Sequence, residues 1–348
     1  MQGDSLGFLD AVGGLPEQLE AAHELAAEAD LSSLPAGDSI DSIAVLGMGG
    51  SGMAGDVLQA IGGALPVPVT VLKQYRTPAF IGPRTLVFAL SYSGNTEETV
   101  SMTRGAFEAG ASVVTVTTGG ALDELAAAHA GLRMSCPTGL MPRGAIGALL
   151  APLIVTAFRL GLFPEGHAAL IKAQEQLARR RDHCRPEVEG ATNPARELAR
   201  RIGRTIPVVY GGGALGAVAA RRFKNDINET AKAPAFWGAY PELNHAEICG
   251  WGQHGDVTRQ IFTLVQLRHG FEHPRLSEQI VLSRDMIEEV FVQVLDIEAN
   301  GEGRLAQLLD LMYLGTWASC YLALANDVDP GPIDAIAQLK AALGPIRA

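Results

Sequence analysis

The two halves of this chain open with the same short pattern, in which an apolar run leads through a glycine-rich turn into a run of helical character. The turns are GMGGSG at Gly47–Gly52 and GGGALG at Gly211–Gly216, and their first glycines lie 164 positions apart. A strand that enters a helix through such a turn is typical of a doubly wound α/β domain. The 348 residues suffice for about two domains. We therefore predict an internal repeat of two doubly wound domains.

Short runs rich in β-branched residues alternate with helix-like runs of alanine, glutamate and leucine along both halves. Because the strand-like runs are continuously apolar, they indicate parallel sheets covered by helices on both faces. The predicted strands are Ile43–Leu46, Val69–Leu72, Leu86–Leu90, Val113–Val116, Pro207–Tyr210, Ile261–Leu267 and Phe291–Ile297. The predicted fold class is α/β, with two doubly wound domains of mainly parallel strands. The C-terminal helices Leu305–Asn326 and Pro332–Leu343 are expected to pack on this pair.

A charge-rich stretch, Gln174–Arg204, separates the two halves. We place the boundary there, and predict a first domain at 1–175, which includes an N-terminal helix, and a second at 190–348. Asn193 and Pro194 are the residue types expected at the N-cap and the first position of a helix. The three consecutive arginines at 179–181 are predicted to form a solvated helix face.

Composition limits the partners and the compartment. A formal net charge of −11 argues against a nucleic-acid-binding protein, although backbone N–H groups can still bind phosphate. The N-terminus lacks the basic and apolar regions of a signal peptide, and the apolar run Gly144–Phe158 is too short to span a bilayer. The four cysteines form no C-x-x-C pair, which is typical of free thiols. We expect a cytoplasmic protein with no membrane and no nucleic-acid partner.

Both glycine turns match the G-x-G-x-x-G pattern of dinucleotide-binding domains. Those domains also need an acidic residue roughly 20 positions further on, which binds the ribose hydroxyl. The first half offers Leu72, Lys73 and Gln74 at that distance, and the second half offers Phe236 and Trp237. None of these residues is acidic, so NAD or FAD is disfavoured.

Small polar residues follow the strand Leu86–Leu90, in the sequence SYSGNTEET. In an open α/β sheet this strand end borders the ligand crevice, on the same edge as the first glycine turn. Hydroxyl and amide donors that meet at a helix N-terminus form a phosphomonoester site. We also expect Asn95 or Thr96 to cap the following helix. The predicted phosphate-binding residues are Gly49, Gly50, Ser51, Ser91, Ser93 and Thr96.

The segment from Asn228 to Trp251 is too irregular to be one helix, and it places Glu229, Lys232 and His245 among proline and aromatic residues. A carboxylate and an imidazole in apolar surroundings can move a proton on and off carbon. The alternative for Glu229 is a surface helix residue paired with Lys232, three positions on.

These motifs resemble those of known proteins. GMGGSGMAGD and SYSGNTEET are similar to the paired phosphate-binding signatures of sugar isomerase (SIS) domains. NPARELA, NETAKAPAFWGAYPELNHAEICGW and AQLKAAL resemble the bifunctional phosphoglucose/phosphomannose isomerase family, and the matches run in order from Gly47 to Lys340. The resemblance implies two SIS domains, a homodimer with active sites at the subunit interface, and no cofactor or metal. It also implies reversible conversion of glucose 6-phosphate or mannose 6-phosphate into fructose 6-phosphate through a cis-enediol.

The resemblance assigns four catalytic candidates. Glu229, in its N-E-x-x-K context, matches the base that shuttles the proton, and His245 matches the histidine that assists ring opening. Arg143, in a Pro-Arg pair, would stabilise the enediolate, a role that suits its planar and permanently charged fork. Lys340 matches the lysine that faces the ring oxygen of the substrate.

Two alternatives remain open at this point. SIS domains also serve as ligand-binding modules, so the chain could be a non-catalytic sensor of a phosphosugar. It could also isomerise another phosphosugar, such as an amino sugar or a seven-carbon sugar. Those relatives resemble the SIS loops but not the segment from Asn228 to Trp251.

Overall fold

The computed structural model describes residues 3–344, the side chain of Ala64 excepted. The chain divides into two compact units. The first unit is Gly14–Gln174, and the second combines Met1–Gly13 with Glu175–Ala348.

The first unit contains a five-stranded parallel sheet in the order β2-β1-β3-β4-β5. Its strands are β1 (Ser42–Leu46), β2 (Val69–Leu72), β3 (Thr85–Leu90), β4 (Ser112–Thr117) and β5 (Leu132–Ser135). Its helices are α2 (Leu15–Glu28), α3 (Gly49–Ile61), α4 (Glu97–Glu108), α5 (Gly120–Ala128), α6 (Ile146–Arg159) and the first part of α7 (Gly166–Cys184). All six residues of β3 are buried, as expected for a central parallel strand covered on both faces.

The second unit contains a four-stranded parallel sheet in the order β7-β6-β8-β9. Its strands are β6 (Ile206–Gly212), β7 (Phe236–Tyr240), β8 (Phe262–Arg268) and β9 (Gln293–Glu298). Its helices are α1 (Phe8–Gly13), α8 (Pro194–Ile202), α9 (Gly213–Asp226), α10 (Glu247–Gly250), α11 (Gly255–Ile261), α12 (Pro274–Ile287), α13 (Arg304–Ala325) and α14 (Asp334–Leu343). The predicted α/β class with parallel sheets is therefore confirmed.

The sequence prediction missed two of the edge strands, β5 and β7. β5 alternates in exposure and is partly polar, so it lacks the apolar run that marks a buried strand. β7 leaves Phe236 and Trp237 exposed, and only four residues separate it from an irregular helical turn. The segment from Asn228 to Trp251 thus contains a strand as well as irregular helical turns.

The position of α1 differs from the predicted first domain at 1–175, because this helix belongs to the second unit. Its apolar residues Phe8, Leu9 and Val12 are buried. Tyr313 on α13 donates a hydrogen bond from its hydroxyl to the carbonyl oxygen of Val12 at 2.8 Å. These contacts hold the N-terminal helix against α13.

α13 is the central helix of the second unit. Its 22 residues are long and apolar enough to cross a membrane by length and composition alone, but 89% of its apolar window is buried inside the protein. This burial is typical of the core helix of a globular domain. By contrast, α14 buries none of its residues, and Leu339 and Leu343 are exposed by more than 60%.

The structure corrects the prediction that the three arginines at 179–181 form a solvated face. Arg180 is only 9% exposed, and its guanidinium donates to both carboxylate oxygens of Asp310 on α13, at 2.7 and 2.5 Å. Because a buried carboxylate is costly without a counter-charge, Arg180 must point inward. The neighbouring cap is as predicted: the side chain of Asn193 accepts from the backbone N–H groups of Ala195 and Arg196.

Candidate functional site

The glycine turn of the first unit connects β1 to α3 and leaves no room for a side chain at Gly52 and little at Gly50. Gly49 has a φ of +49°, in the left-handed region that favours glycine. A Cβ atom at Gly52 would lie 2.4 Å from the carbonyl oxygen of Gly47, and one at Gly50 would lie 3.2 Å from the Cα of Arg143. The backbone N–H groups at the start of α3 therefore form the surface of this turn, as an anion site requires.

The second turn, Ser91–Thr96, follows β3 and meets the glycine turn directly. The backbone N–H of Tyr92 donates to the Ser51 hydroxyl at 3.3 Å. The hydroxyls of Ser91 and Thr96 share a hydrogen bond of 2.9 Å, and that of Ser93 accepts from the backbone N–H of Asn95. The two turns thus lie at one edge of the sheet, where parallel strands end together.

The expected capping of α4 by Asn95 or Thr96 is wrong. Thr96 occupies the N-cap position, but its hydroxyl bonds to Ser91 rather than to the first turn of the helix. The side-chain oxygen of Asn95 instead accepts from the backbone N–H of Ala121, at the start of α5. Because no side chain among residues 3–344 caps α4, its N-terminal N–H groups add to the donors at this edge.

Arg143 lies beside the same turn. It forms part of a single 3₁₀ turn, Pro142–Gly144, and its side chain is only 6% exposed. Tyr92 holds the preceding loop in place, since its hydroxyl donates to the carbonyl oxygen of Pro137 and accepts from the backbone N–H of Leu140, each at 2.8 Å. Burial raises the pKa of Tyr92, so the hydroxyl keeps the proton that it donates.

The sequence analysis missed the roles of Tyr92 and Lys73. Lys73 follows β2, and its Cε lies 3.0 Å from the position that a Cβ at Gly52 would occupy. Its ammonium group pairs with Asp56, a buried residue of α3. The sequence signal for Lys73 is its position directly after a strand that ends on the same edge as the glycine turn.

Glu229 lies in a five-residue π-helical segment, Ile227–Ala231, that continues α9. Such segments are rare and occur frequently at functional sites. The segment ends at Lys232, which adopts the left-handed conformation with a φ of +53°. The ammonium group of Lys232 donates to the carbonyl oxygens of Thr230 at 3.1 Å and Asp329 at 2.7 Å. The local backbone around Glu229 is therefore fixed by an unusual but well-bonded turn.

His245 and Lys340 are exposed residues of the second unit. His245 ends a short 3₁₀ turn, Glu242–His245, and Lys340 lies in the last turn of α14. The predicted site residues therefore fall into two groups. The six phosphate-binding candidates and Arg143 lie in the first unit, where Arg143 adjoins the turns. Glu229, His245 and Lys340 lie in the second unit.

The other chemically reactive groups among the described residues are the thiols and the side chains that can bind metal ions. Within residues 3–344, no group of three or more His, Cys, Asp or Glu side chains could hold a metal ion. All four cysteines are free thiols, of which only Cys249 is exposed. Burial raises the pKa of Cys136 and of Cys184 to about 12, so neither thiol ionises near neutrality.

The sequence of this chain is similar to those of known proteins. Residues 191–343 match the family model described as the bacterial phospho-glucose isomerase C-terminal SIS domain. A bifunctional phosphoglucose/phosphomannose isomerase of Caldicellulosiruptor bescii is 34% identical over 341 residues, which cover 98% of this chain and 100% of the relative. The protein of the same name in Aquifex aeolicus is 30% identical over 300 residues, covering 86% of this chain and 89% of the relative.

The fold is also known from solved structures. The C-terminal domain of glucosamine-fructose-6-phosphate aminotransferase from Francisella tularensis superposes with a TM-score of 0.70 at 15% identity, covering 93% of this chain and 97% of that domain. The two parallel sheets and the paired turns define a protein of the SIS-domain class. Within this class, the chain belongs to the bifunctional phosphoglucose/phosphomannose isomerase family. The family resemblance in the sequence motifs is thereby confirmed.

Proposed function

We propose that this chain is a cofactor-free aldose–ketose isomerase that interconverts glucose 6-phosphate and mannose 6-phosphate with fructose 6-phosphate. The observation that carries the proposal is the hydrogen bond from Tyr92 N–H to Ser51, which joins the two polar turns into one anion site. Membership of the isomerase family gives the substrate class.

The phosphate group is anchored by the turns of the first unit. Backbone N–H groups of Gly49 and Gly50 and the hydroxyls of Ser51 and Ser93 donate to its oxygens, and the hydrogen-bonded pair of Ser91 and Thr96 supplies one further hydroxyl hydrogen. The hydroxyls of Ser91 and Thr96 are already joined by a hydrogen bond, so little side-chain freedom is lost on binding. Lys73 packs behind the glycine turn with its charge offset by Asp56, so the phosphate is held mainly by the N–H and hydroxyl donors.

Glu229 moves the proton between the two reacting carbons. Its carboxylate removes the proton from C2 of the open-chain aldose, and the electron pair forms the C1–C2 double bond of a cis-enediolate. The hydroxyl proton on O2 passes to O1, and the same carboxyl group returns its proton to C1 as the C2 carbonyl forms, which gives the ketose. Arg143 stabilises the negative oxygen that develops in between. Glucose and mannose differ only at C2, and this difference disappears in the enediol, so one base serves both aldoses.

His245 and Lys340 act on the closed sugar. His245 transfers the proton that opens the ring, and Lys340 faces the ring oxygen. Both side chains are exposed within the second unit, which leaves them accessible to a substrate and to a second copy of the chain. We infer a homodimer in which active sites lie at the subunit interface, in the cytoplasm, where the free thiols remain reduced.

The proposal is tested by measuring fructose 6-phosphate formation from glucose 6-phosphate and from mannose 6-phosphate, with EDTA present. We expect turnover of at least one aldose. Absence of turnover with both refutes the proposal. Thermal stabilisation by fructose 6-phosphate without any turnover would instead identify a phosphosugar sensor.

The variant Glu229→Gln tests the assignment of the base. The amide keeps the size of the side chain but cannot accept the proton, so kcat should fall by a factor on the order of 10³ while KM changes little. A matched control is Glu242→Gln, an exposed carboxylate in the same irregular segment, which should leave both constants unchanged. A near-normal kcat for Glu229→Gln contradicts the role of this residue.

A further inference from the structure

His245 lies in a segment that has little regular structure of its own. After β7, the chain forms the 3₁₀ turn Glu242–His245 and the four-residue helix α10, and reaches Trp251. Helical turns this short are not stable alone. Their position therefore depends on contacts with the sheet beneath them.

One buried hydroxyl supplies two of these contacts. Tyr210 lies on β6, inside the sheet, and its side chain is fully buried. Its hydroxyl donates a hydrogen bond to the carboxylate of Glu247 and accepts one from the indole N–H of Trp251 at 3.0 Å. A single phenol thus holds both ends of the stretch 247–251, which begins two residues after His245.

A glycine on the neighbouring strand makes room for this contact. On the neighbouring strand β7, a Cβ atom at Gly238 would lie 2.9 Å from the ring of Tyr210 and 3.3 Å from a carboxylate oxygen of Glu247. Only glycine leaves room there for the ring and the carboxylate together. The indole of Trp251 also packs on the ring of Phe291, with centroids 4.5 Å apart.

The phenol of Tyr210 is protonated near neutral pH. Burial, and then the bond to Glu247, raise the pKa of Tyr210 far above its usual value. The phenol therefore keeps the proton that it donates. A hydroxyl that donates to a carboxylate makes one of the stronger hydrogen bonds in a protein.

On the other side of His245, the segment has a further anchor. The side-chain oxygen of Asn244 accepts from the Ser283 hydroxyl at 2.8 Å, and Leu243 is buried. His245 is thus exposed between two anchored neighbours. Removing the contacts of Tyr210 with Glu247 and Trp251 would leave the backbone after His245 free to move, and the orientation of the imidazole would then vary.

We propose that Tyr210 is a positioning residue of the isomerase: through Glu247 and Trp251, it fixes the segment that presents His245 to the substrate. This inference rests on the proposed role of His245 in ring opening. The Tyr210 hydroxyl lies inside the sheet and bonds to the side chains of Glu247 and Trp251. Its effect on catalysis is therefore indirect, through the orientation of the His245 imidazole.

The experiment compares Tyr210→Phe with Tyr240→Phe. Tyr240 is a matched control, because it is also buried, its ring contacts that of Tyr210 edge to face, and its hydroxyl bonds to Gln266 rather than to Glu247. We expect Tyr210→Phe to lower kcat with the cyclic aldoses on the order of tenfold, as small misplacements of catalytic groups do, with little change in KM. Tyr240→Phe should remain close to the wild type.

Two readouts separate positioning from a general structural effect. In a His245→Ala background, Tyr210→Phe should cause no further loss of kcat, because both changes remove the same contribution. A spin label on Cys249, the exposed thiol between Glu247 and Trp251, should become more mobile in Tyr210→Phe but not in Tyr240→Phe.

The outcomes distinguish this inference from the proposed function. Unchanged mobility of the label in Tyr210→Phe overturns the inference, whatever the activity. Equal losses of kcat in the His245→Ala and wild-type backgrounds also overturn it, while the isomerase function stands. Absence of turnover in the wild type overturns the proposed function and the positioning role together, and the label alone then reports whether the segment is held by Tyr210.

Discussion

The buried ion pair between Arg180 and Asp310 allows a stability prediction with a defined magnitude. The Asp310 carboxylate is fully buried and accepts four hydrogen bonds, from Arg180 Nε and Nη2, from the Gln176 side chain and from the backbone N–H of Asn300. Replacing Arg180 by methionine removes two of them together with the only positive charge among these donors. A buried charge that loses its partner destabilises a protein by about 3–5 kcal/mol.

The assay is thermal unfolding of Arg180→Met at neutral pH, followed by circular dichroism. For a unit of this size the loss corresponds to a melting temperature lower by about 10 °C. Arg179→Met is the control, since that side chain is 56% exposed and its ion-pair distance to Glu175 is 3.9 Å. An exposed pair of this kind contributes less than about 1 kcal/mol. Adding Asp310→Asn to Arg180→Met should recover part of the loss, because the buried charge is then gone.

A melting temperature for Arg180→Met within a degree or two of the wild type would refute this reasoning. It would mean that Asp310 reaches solvent or another donor when the guanidinium is removed. An equal loss in Arg179→Met would also refute it, because the effect would then not depend on burial.

Two further predictions concern the first unit. Gly52→Ala places a Cβ 2.4 Å from the carbonyl oxygen of Gly47, so the turn must open. KM for fructose 6-phosphate should then rise at least tenfold. Gly63→Ala is the control: a Cβ there meets nothing within 4 Å, so KM should be unchanged in the same assay. The rings of His23 and His167 lie 3.0 Å apart, N to N, and burial and then the charge of His167 lower the pKa of His23. Because the folded state disfavours the protonated ring, stability should fall as pH drops below the usual histidine range, and melting temperatures at pH 7.5 and 5.5 should differ less in His23→Gln than in the wild type. Equal differences in both proteins would contradict the assignment.

The parts of the fold predicted correctly are those in which burial and sequence pattern agree. β1 and β3 are apolar because helices cover both of their faces, so their sequences are continuous hydrophobic runs. β7 was missed because an edge strand can leave two aromatic side chains exposed, and aromatic residues in an irregular context do not identify a strand by themselves. Arg180 was assigned to the surface because its partner, Asp310, is 130 residues away in the sequence.

In the candidate site, too, local sequence patterns predicted some contacts and missed others. The meeting of the two polar turns followed from the rule that parallel strands end at one edge, and the bond from Tyr92 to Ser51 agrees with it. The capping of α4 was wrong, because the hydroxyl of Thr96 had a second partner, Ser91, that local sequence rules do not consider. The π-helical turn at Glu229 has no sequence signature, since it arises where a helix gains one residue in a turn.

The discontinuity of the second unit has a consequence for the order of events during synthesis. The first unit is a single stretch, Gly14–Gln174, and all of its strands have left the ribosome before any strand of the second unit is made. Domains generally fold as units, beginning from the N-terminus. Among the described helices α1 is made first, yet its hydrogen-bonding partner Tyr313 lies on α13, about 300 residues later in the sequence. α1 can therefore dock only after α13 has been made. In a nascent chain arrested before α13, the first unit would be folded while α1 was still undocked.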